Sequence, residues 1–267
     1  RNQRFFNKPL NSWNVSKVSD IQFMFDNTEA FNQNINDWSV SSVTNMYGVF
    51  RNTTVFNQPL DKWDVSSVKK MQAMFANADA FDQDISSWNV FSVTNMINMF
   101  YIAENFNQPL DSWDVSSVTS MTSMFYKAEN FNQPLNNWDV SSVMDQQGVF
   151  NNAKNFNQPL NNWNVFNVTN MTNMFWNAES FNQDISNWNI ENVNDWTGFG
   201  SGATSMSDEF QAIIDVSGIY KWNYFKYKFD NSELLTALNN WFDIGDILIT
   251  PAIIGAGGLD GTDGDQG

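Results

Sequence analysis

Residues 131–143 read FNQPLNNWDVSSV, and the same phrase recurs with small changes eight times along this 267-residue chain. Its copies begin at Phe6, Phe31, Phe56, Phe81, Phe106, Phe131, Phe156 and Phe181, always 25 residues apart and with no insertion or deletion. A globular domain varies its loop lengths freely, whereas a fixed period means that each unit superimposes on the next and buries its apolar side against it. The chain from Phe6 to about Ser205 is therefore expected to be a stacked solenoid. Residues 1–5 take the place of the last five residues of a preceding copy, and 206–267 form a separate C-terminal capping or assembly region.

Within a copy the apolar residues follow two patterns. Leu110, Trp113 and Val115 end in an alternation of period two, which points to a short strand with Trp and Val inward. Val118, Met121, Met124, Phe125 and Ala128 have offsets of 3, 6, 7 and 10, the stripe of a short helix, with Ser117 (like Ser42, Ser67 and Ser142) placed to cap it. The expected fold class is thus an α/β repeat solenoid with one short strand and one short helix per coil. Pro9, Pro59, Pro109, Pro134 and Pro159 fit an extended return segment. The tryptophans from Trp13 to Trp188 read as a core spine at the ~4.8 Å strand spacing. The methionines read as pliable core filling. The repeated Asn-Gln pairs are expected to satisfy loop backbone groups. Gln146 and Gly148 in the sixth copy read as weakening its helix, and Trp196, Phe199 and Gly200 as the end of the solenoid.

The phrase at 131–143 resembles the surface-protein repeat of the BspA-like leucine-rich-repeat group, since Phe-Asn-Gln, Trp-x-Val and Met-Phe all recur in register over residues 6 to about 205. The resemblance implies a leucine-rich-repeat-like solenoid displayed at a cell surface, with roles in adhesion or host and matrix contact. One departure stands out. Where ordinary leucine-rich repeats carry a turn-forming Asn after the strand, this chain has Val18, Val43 and Val68.

Composition narrows the chemistry. A formal net charge of -16 repels nucleic-acid phosphates and anionic membranes. Cysteine and histidine are both absent, which removes thiolate and imidazole metal ligands, the Cys nucleophile and the commonest general base. No apolar run reaches the ~18 residues of a membrane span. Catalysis is not expected, and no cofactor is implied. A chain starting at Arg1 is consistent with a removed leader and hence with an extracellular, cell-surface or particle-surface location.

Candidate sites fall in three places. On the strand face, Phe91 and Phe166 interrupt a column of serines with aromatic rings, making them contact candidates for a surface protein or glycan. Asp64, Asp114 and Asp139 share a neighbouring column, which raises either acid–base chemistry or a Ca2+ site, the latter with a carbohydrate as possible cargo. At the first coil, Phe6, Trp13 and Met24 are expected to present apolar edges. In the C-terminal region, two amphipathic helices are expected at 207–216 and 232–242, around a basic and aromatic cluster. Lys221, Trp222, Lys226 and Lys228 from that cluster could dock on an acidic surface of another copy, giving structural self-assembly through coil ends and tail. Asp260, Asp263 and Asp265 resemble a Ca2+ loop without its closing Glu. Asn14, Asn52, Asn167 and Asn170 stand in glycosylation sequons.

Overall fold

The computed structural model describes residues 3–205 except Ser186 and Trp196. The expected helices at 207–216 and 232–242, Lys221, Trp222, Lys226, Lys228, Asp260, Asp263, Asp265 and the reading of Trp196 lie outside the described residues.

The repeat does stack, but the α/β coil does not form. Among the described residues there is no helix, and the only strand-like pairing is a column of single parallel bridges running Asp20, Asn45, Lys70, Asn95, Ser120, Asp145, Asn170 and Asp195. Those bridges open the segment read as a helix, while the Trp-x-Val segment read as a strand pairs with nothing in that way. The Ser caps fall with the helix: Ser42 instead donates to the carbonyl of Ser16 in the preceding coil, at 3.0 Å.

The coil that starts at Phe106 shows what replaces the helix. Met124, Tyr126 and Ala128 donate their backbone N–H to the carbonyls of Met121, Ser123 and Phe125, three residues back, at 2.9, 3.2 and 3.1 Å. The interleaved N–H groups of Met121, Ser123, Phe125 and Lys127 donate instead to the next coil, to Asp145, Gln147, Val149 and Asn151, at 3.3, 2.8, 2.9 and 2.8 Å. An α-helix would consume all of these donors internally, in bonds four residues long. Two residues per coil, Ser123 and Lys127 here, have φ of 53°. Each is the third residue of a turn, the position at which a type II β-turn requires positive φ. Every such reversal swings an alternate N–H out of the coil and toward its neighbour.

A succession of three-residue turns brings the chain back to the core at intervals close to those of a helix, so the inward residues come out as expected even though the conformation does not. Val118, Met121, Met124, Phe125 and Ala128 are all fully buried. Phe125 stacks on Phe131 of the next coil at 4.1 Å, and three aromatic columns run through the core. Equivalent rings are 5.5–5.7 Å apart in the column of Phe50 and Phe75. They are 5.8–6.1 Å apart in that of Phe56 and Phe81. The Trp spine forms with its rings nearly parallel but 6.3–6.5 Å apart, wider than the ~4.8 Å of strand spacing. Adjacent coils therefore splay, closest at the bridged edge and widest at the Trp side. Each indole N–H from Trp38 to Trp188 donates to a carbonyl 28 residues earlier, as Trp113 does to Ile85 at 3.1 Å.

Polar ladders close the turns. Asn107 Oδ1 accepts from the Asn132 N–H at 2.9 Å and from Gln133 Nε2 at 3.0 Å, so the Asn-Gln pairs do satisfy loop backbone groups. The three copies without the return-segment proline carry Asn34, Asp84 and Asp184 in its place, and the Oδ1 of Asn34 and of Asp84 accepts from the N–H two residues on, at 2.9 Å. Proline and a side-chain cap are two ways of fixing the same turn. Phe199 ends its aromatic column edge-on to Phe175, at an interplanar angle of 83°.

Gln146 and Gly148 take new meanings. Gln146 is fully buried in a column of methionines with neither amide atom partnered, so it weakens the core of its coil by leaving polar atoms dry. Gly148, at φ 60°, occupies a left-handed turn position that suits glycine.

The second left-handed column is mostly asparagine, the residue type that best tolerates this region after glycine, and its side chains form a ladder: Asn77 Nδ2 donates to Asn52 Oδ1 at 2.6 Å, and Asn52 to Asn27 at 3.0 Å. Ile102, at φ 55°, breaks it with a β-branched side chain in the conformation least suited to one. Ile102→Asn is expected to stabilise the protein by about 1–2 kcal/mol, and Asn152→Ile to destabilise it comparably, measured by chemical denaturation. Equal midpoints for Ile102→Asn and wild type would contradict the turn assignment.

Candidate recognition surfaces

The acidic column at Asp64, Asp114 and Asp139 is engaged in turn closure. Asp64 Oδ1 accepts from the Ser66 N–H at 3.1 Å and from the Ser66 hydroxyl at 2.6 Å. Asp114 does the same with Ser116, and Asp139 accepts from the Ser141 N–H at 3.0 Å. Asn14, Asn89 and Asn164 fill the same role in other coils. These are Asx-turns in an exposed row. The hydroxyl and then the N–H of Ser66 hold the Asp64 carboxyl below its ordinary value, and Ser141 does so for Asp139. No group of three or more acidic side chains among the described residues could hold a metal ion.

Phe91 and Phe166 stand where five of the other turns have serine and the last has Glu191, and both are exposed, at 55% and 43%. At the first coil Trp13 is 55% exposed, whereas Phe6 and Met24 are partly buried against the core. The sequon side chains of Asn52, Asn167 and Asn170 all donate within the protein, to Asn27, Ser141 and Gln147.

A further surface went unread in the sequence because it lies in the supposed helix. Beyond the bridges, along the close-packed edge, the positions equivalent to Asp26 read Asp26, Arg51, Ala76, Tyr101, Tyr126, Asn151, Trp176 and Ser201; Ala76 and Asn151 are buried and the other six are partly or well exposed. Tyr101 and Tyr126 stack at 4.6 Å, the Lys127 ammonium lies 5.9 Å from the Tyr126 ring, and Trp176 is 38% exposed. At the near end Arg51 makes a two-pronged ion pair with Asp26 and lies 5.0 Å over Phe23, which packs on Tyr47. The signal was available: core columns such as that of Phe31, Phe56 and Phe81 keep one residue type, while this column holds seven types in eight coils. Next to it runs an acidic row in which burial, and then the charge of Glu104, raises the Asp79 carboxyl, and Lys154 pairs with Glu129 at 2.8 Å. A shallow depression lies between coils, lined by Pro159, Asn161, Gln183, Asp184 and Asn187.

Turn after turn stacked on an aromatic core, with chemistry confined to variable outer columns, defines a tandem-repeat solenoid. The family model described as "Mycoplasma protein of unknown function, DUF285" matches residues 1–113 and again 103–213, about four coils further on. The chain belongs to that family, as two overlapping copies of its repeat region. No match is found among curated proteins.

The Asx column sets an acid response. A carboxyl whose folded pKa lies below its unfolded value adds stability above the unfolded value, and that stability is lost as pH falls through the folded one. Asp64→Asn with Asp139→Asn keeps the Oδ1 acceptor but removes the titration. The pair is expected to melt within about 2 °C of wild type at neutral pH and to lose less melting temperature than wild type between about pH 5 and pH 3. An identical acid loss would show that these carboxylates do not matter to stability.

Proposed function

We propose that this protein is a non-enzymatic, surface-displayed solenoid for adhesion or structural assembly, with the outward column through Tyr101, Tyr126 and Trp176 as its recognition row. The observation carrying this reading is the contrast between columns. Core and turn-closing positions are held to a few residue types by packing, whereas the row from Asp26 to Ser201 holds seven residue types in eight coils and collects three aromatic side chains. Aromatic rings bring large contact area at small entropic cost, and Tyr and Trp dominate interface energetics. The resemblance to BspA-like surface repeats supports display outside the cell and contact with host or matrix. The acid-rich surface speaks against nucleic acid as the partner. No helix among the described residues is long and apolar enough to cross a membrane.

The test is an array of extracellular-matrix proteins and surface glycans probed with the full chain. Tyr101→Ala, Tyr126→Ala and Trp176→Ala together are expected to lower binding at least about tenfold while leaving the melting transition in place. A triple variant that binds every array component as wild type does would sink the recognition row.

A further inference from the structure

Three large apolar side chains are exposed on the side of the stack that carries the Asx-turns: Phe91, Met144 and Phe166, at 55%, 54% and 43%. Numbering coils from the one that begins at Phe6, Phe91 lies on the fourth, Met144 on the sixth and Phe166 on the seventh. Phe91 and Phe166 occupy equivalent positions in their coils, so they line up in one column, three coils apart. Apolar residues here are no requirement of the fold, because the same position is Ser16, Ser41, Ser66, Ser116 and Ser141 in five other coils and Glu191 in the eighth.

We propose that this edge is a self-complementary docking surface on which a second copy of the chain lies antiparallel. A two-fold axis between the fifth and sixth coils, running across the stack, places each coil against a partner coil such that fourth meets seventh, third meets eighth, and like columns face each other. Phe91 of one copy then meets Phe166 of the other, beside Met144 on the adjacent coil, and the symmetry makes that contact twice. An isologous pairing needs one patch that fits its own rotated image.

Charge follows the same register. The third coil carries Lys69 and Lys70, neither of which has a salt-bridge partner among the described residues, and both are exposed. The eighth carries Glu191 and Asp195, both exposed, with Asp195 in the same column as Lys70. Antiparallel docking sets Lys70 of each copy against Asp195 of the other, with Lys69 and Glu191 in columns beside that contact, at both ends of the apolar contact. A parallel arrangement would oppose like charges instead. Near the axis Asp114 faces Asp139 across the pair, an opposing contact softened by exposure and by the serine bonds each carboxylate already makes. The surface is narrow and rimmed with polar groups, which places the pair among weak, concentration-dependent associations.

The full chain provides the test, by sedimentation equilibrium up to several hundred micromolar. Wild type should show a reversible monomer–dimer equilibrium. Phe91→Ser with Phe166→Ser, which restores the repeat's own residue, should weaken it at least tenfold with unchanged melting. Lys69→Glu with Lys70→Glu should also weaken it, and adding Glu191→Lys with Asp195→Lys should restore it. Because the chain has no cysteine, register is read directly: a mixture of Ser92→Cys and Asn167→Cys proteins should form the mixed disulfide in preference to either homodimer. A wild type that stays monomeric, a dimer indifferent to the serine substitutions, or a preference for homodimeric crosslinks would each overturn the proposal.

Discussion

Everything in this solenoid depends on four backbone N–H groups per coil that leave their own turn and donate to the coil that follows. They exist because two residues in each coil take positive φ, and that reversal turns every second amide outward. With the donors committed to a neighbour, a coil has no complete hydrogen-bond set of its own, and buried backbone groups must be paired. The period of 25 residues without insertion follows from this: one extra residue would move every donor off its acceptor in the next coil.

The aromatic core answers the geometry that the bonds impose. Coils held close at the bridged edge splay toward the opposite side, and the side chains grow to match, from Phe to Trp. Rings stacked at 5.5–6.5 Å fill the widening gap, and from Trp38 to Trp188 each spine indole N–H is bonded to a carbonyl of the preceding coil, so these bulky groups leave no polar atom unpaired. Asn, Asp, Gln and Ser then close the turns on the outside. What remains free to vary is small: the outward row past the bridges, and the turn tips where Phe91 and Phe166 replace serine. A framework that consumes most of its polar side chains in closing turns leaves its chemistry to these few columns.

The period, the number of coils and nearly all inward residues were legible, because burial demands the same apolar spacing whatever the backbone does. The helix was misread because offsets of 3, 6, 7 and 10 describe a chain of β-turns as well as a helical stripe. The correcting signal lay in other columns: Asn or Gly recurs at positions such as Asn27, Gly48, Asn52 and Asn77, which a left-handed residue explains and a helix does not. The acidic residues at Asp64 and Asp139 looked like free carboxylates because their partner is two residues away in sequence, a distance that spells an Asx-turn only once the turn is known. Phe91 and Phe166 could be picked out as departures from a serine column. The mixed composition of the column through Tyr101, Tyr126 and Trp176 was visible as well, but its facing was not, since that depends on the turns and not on a helix.

The most direct test is scalar coupling across hydrogen bonds, measured by NMR on deuterated, isotope-labelled protein. The structure predicts correlations from the Ser123 amide nitrogen to the Gln147 carbonyl carbon and from Lys127 to Asn151, linking residues 24 apart. Correlations from these amides to carbonyls four residues earlier would restore the helix and contradict the account at its foundation.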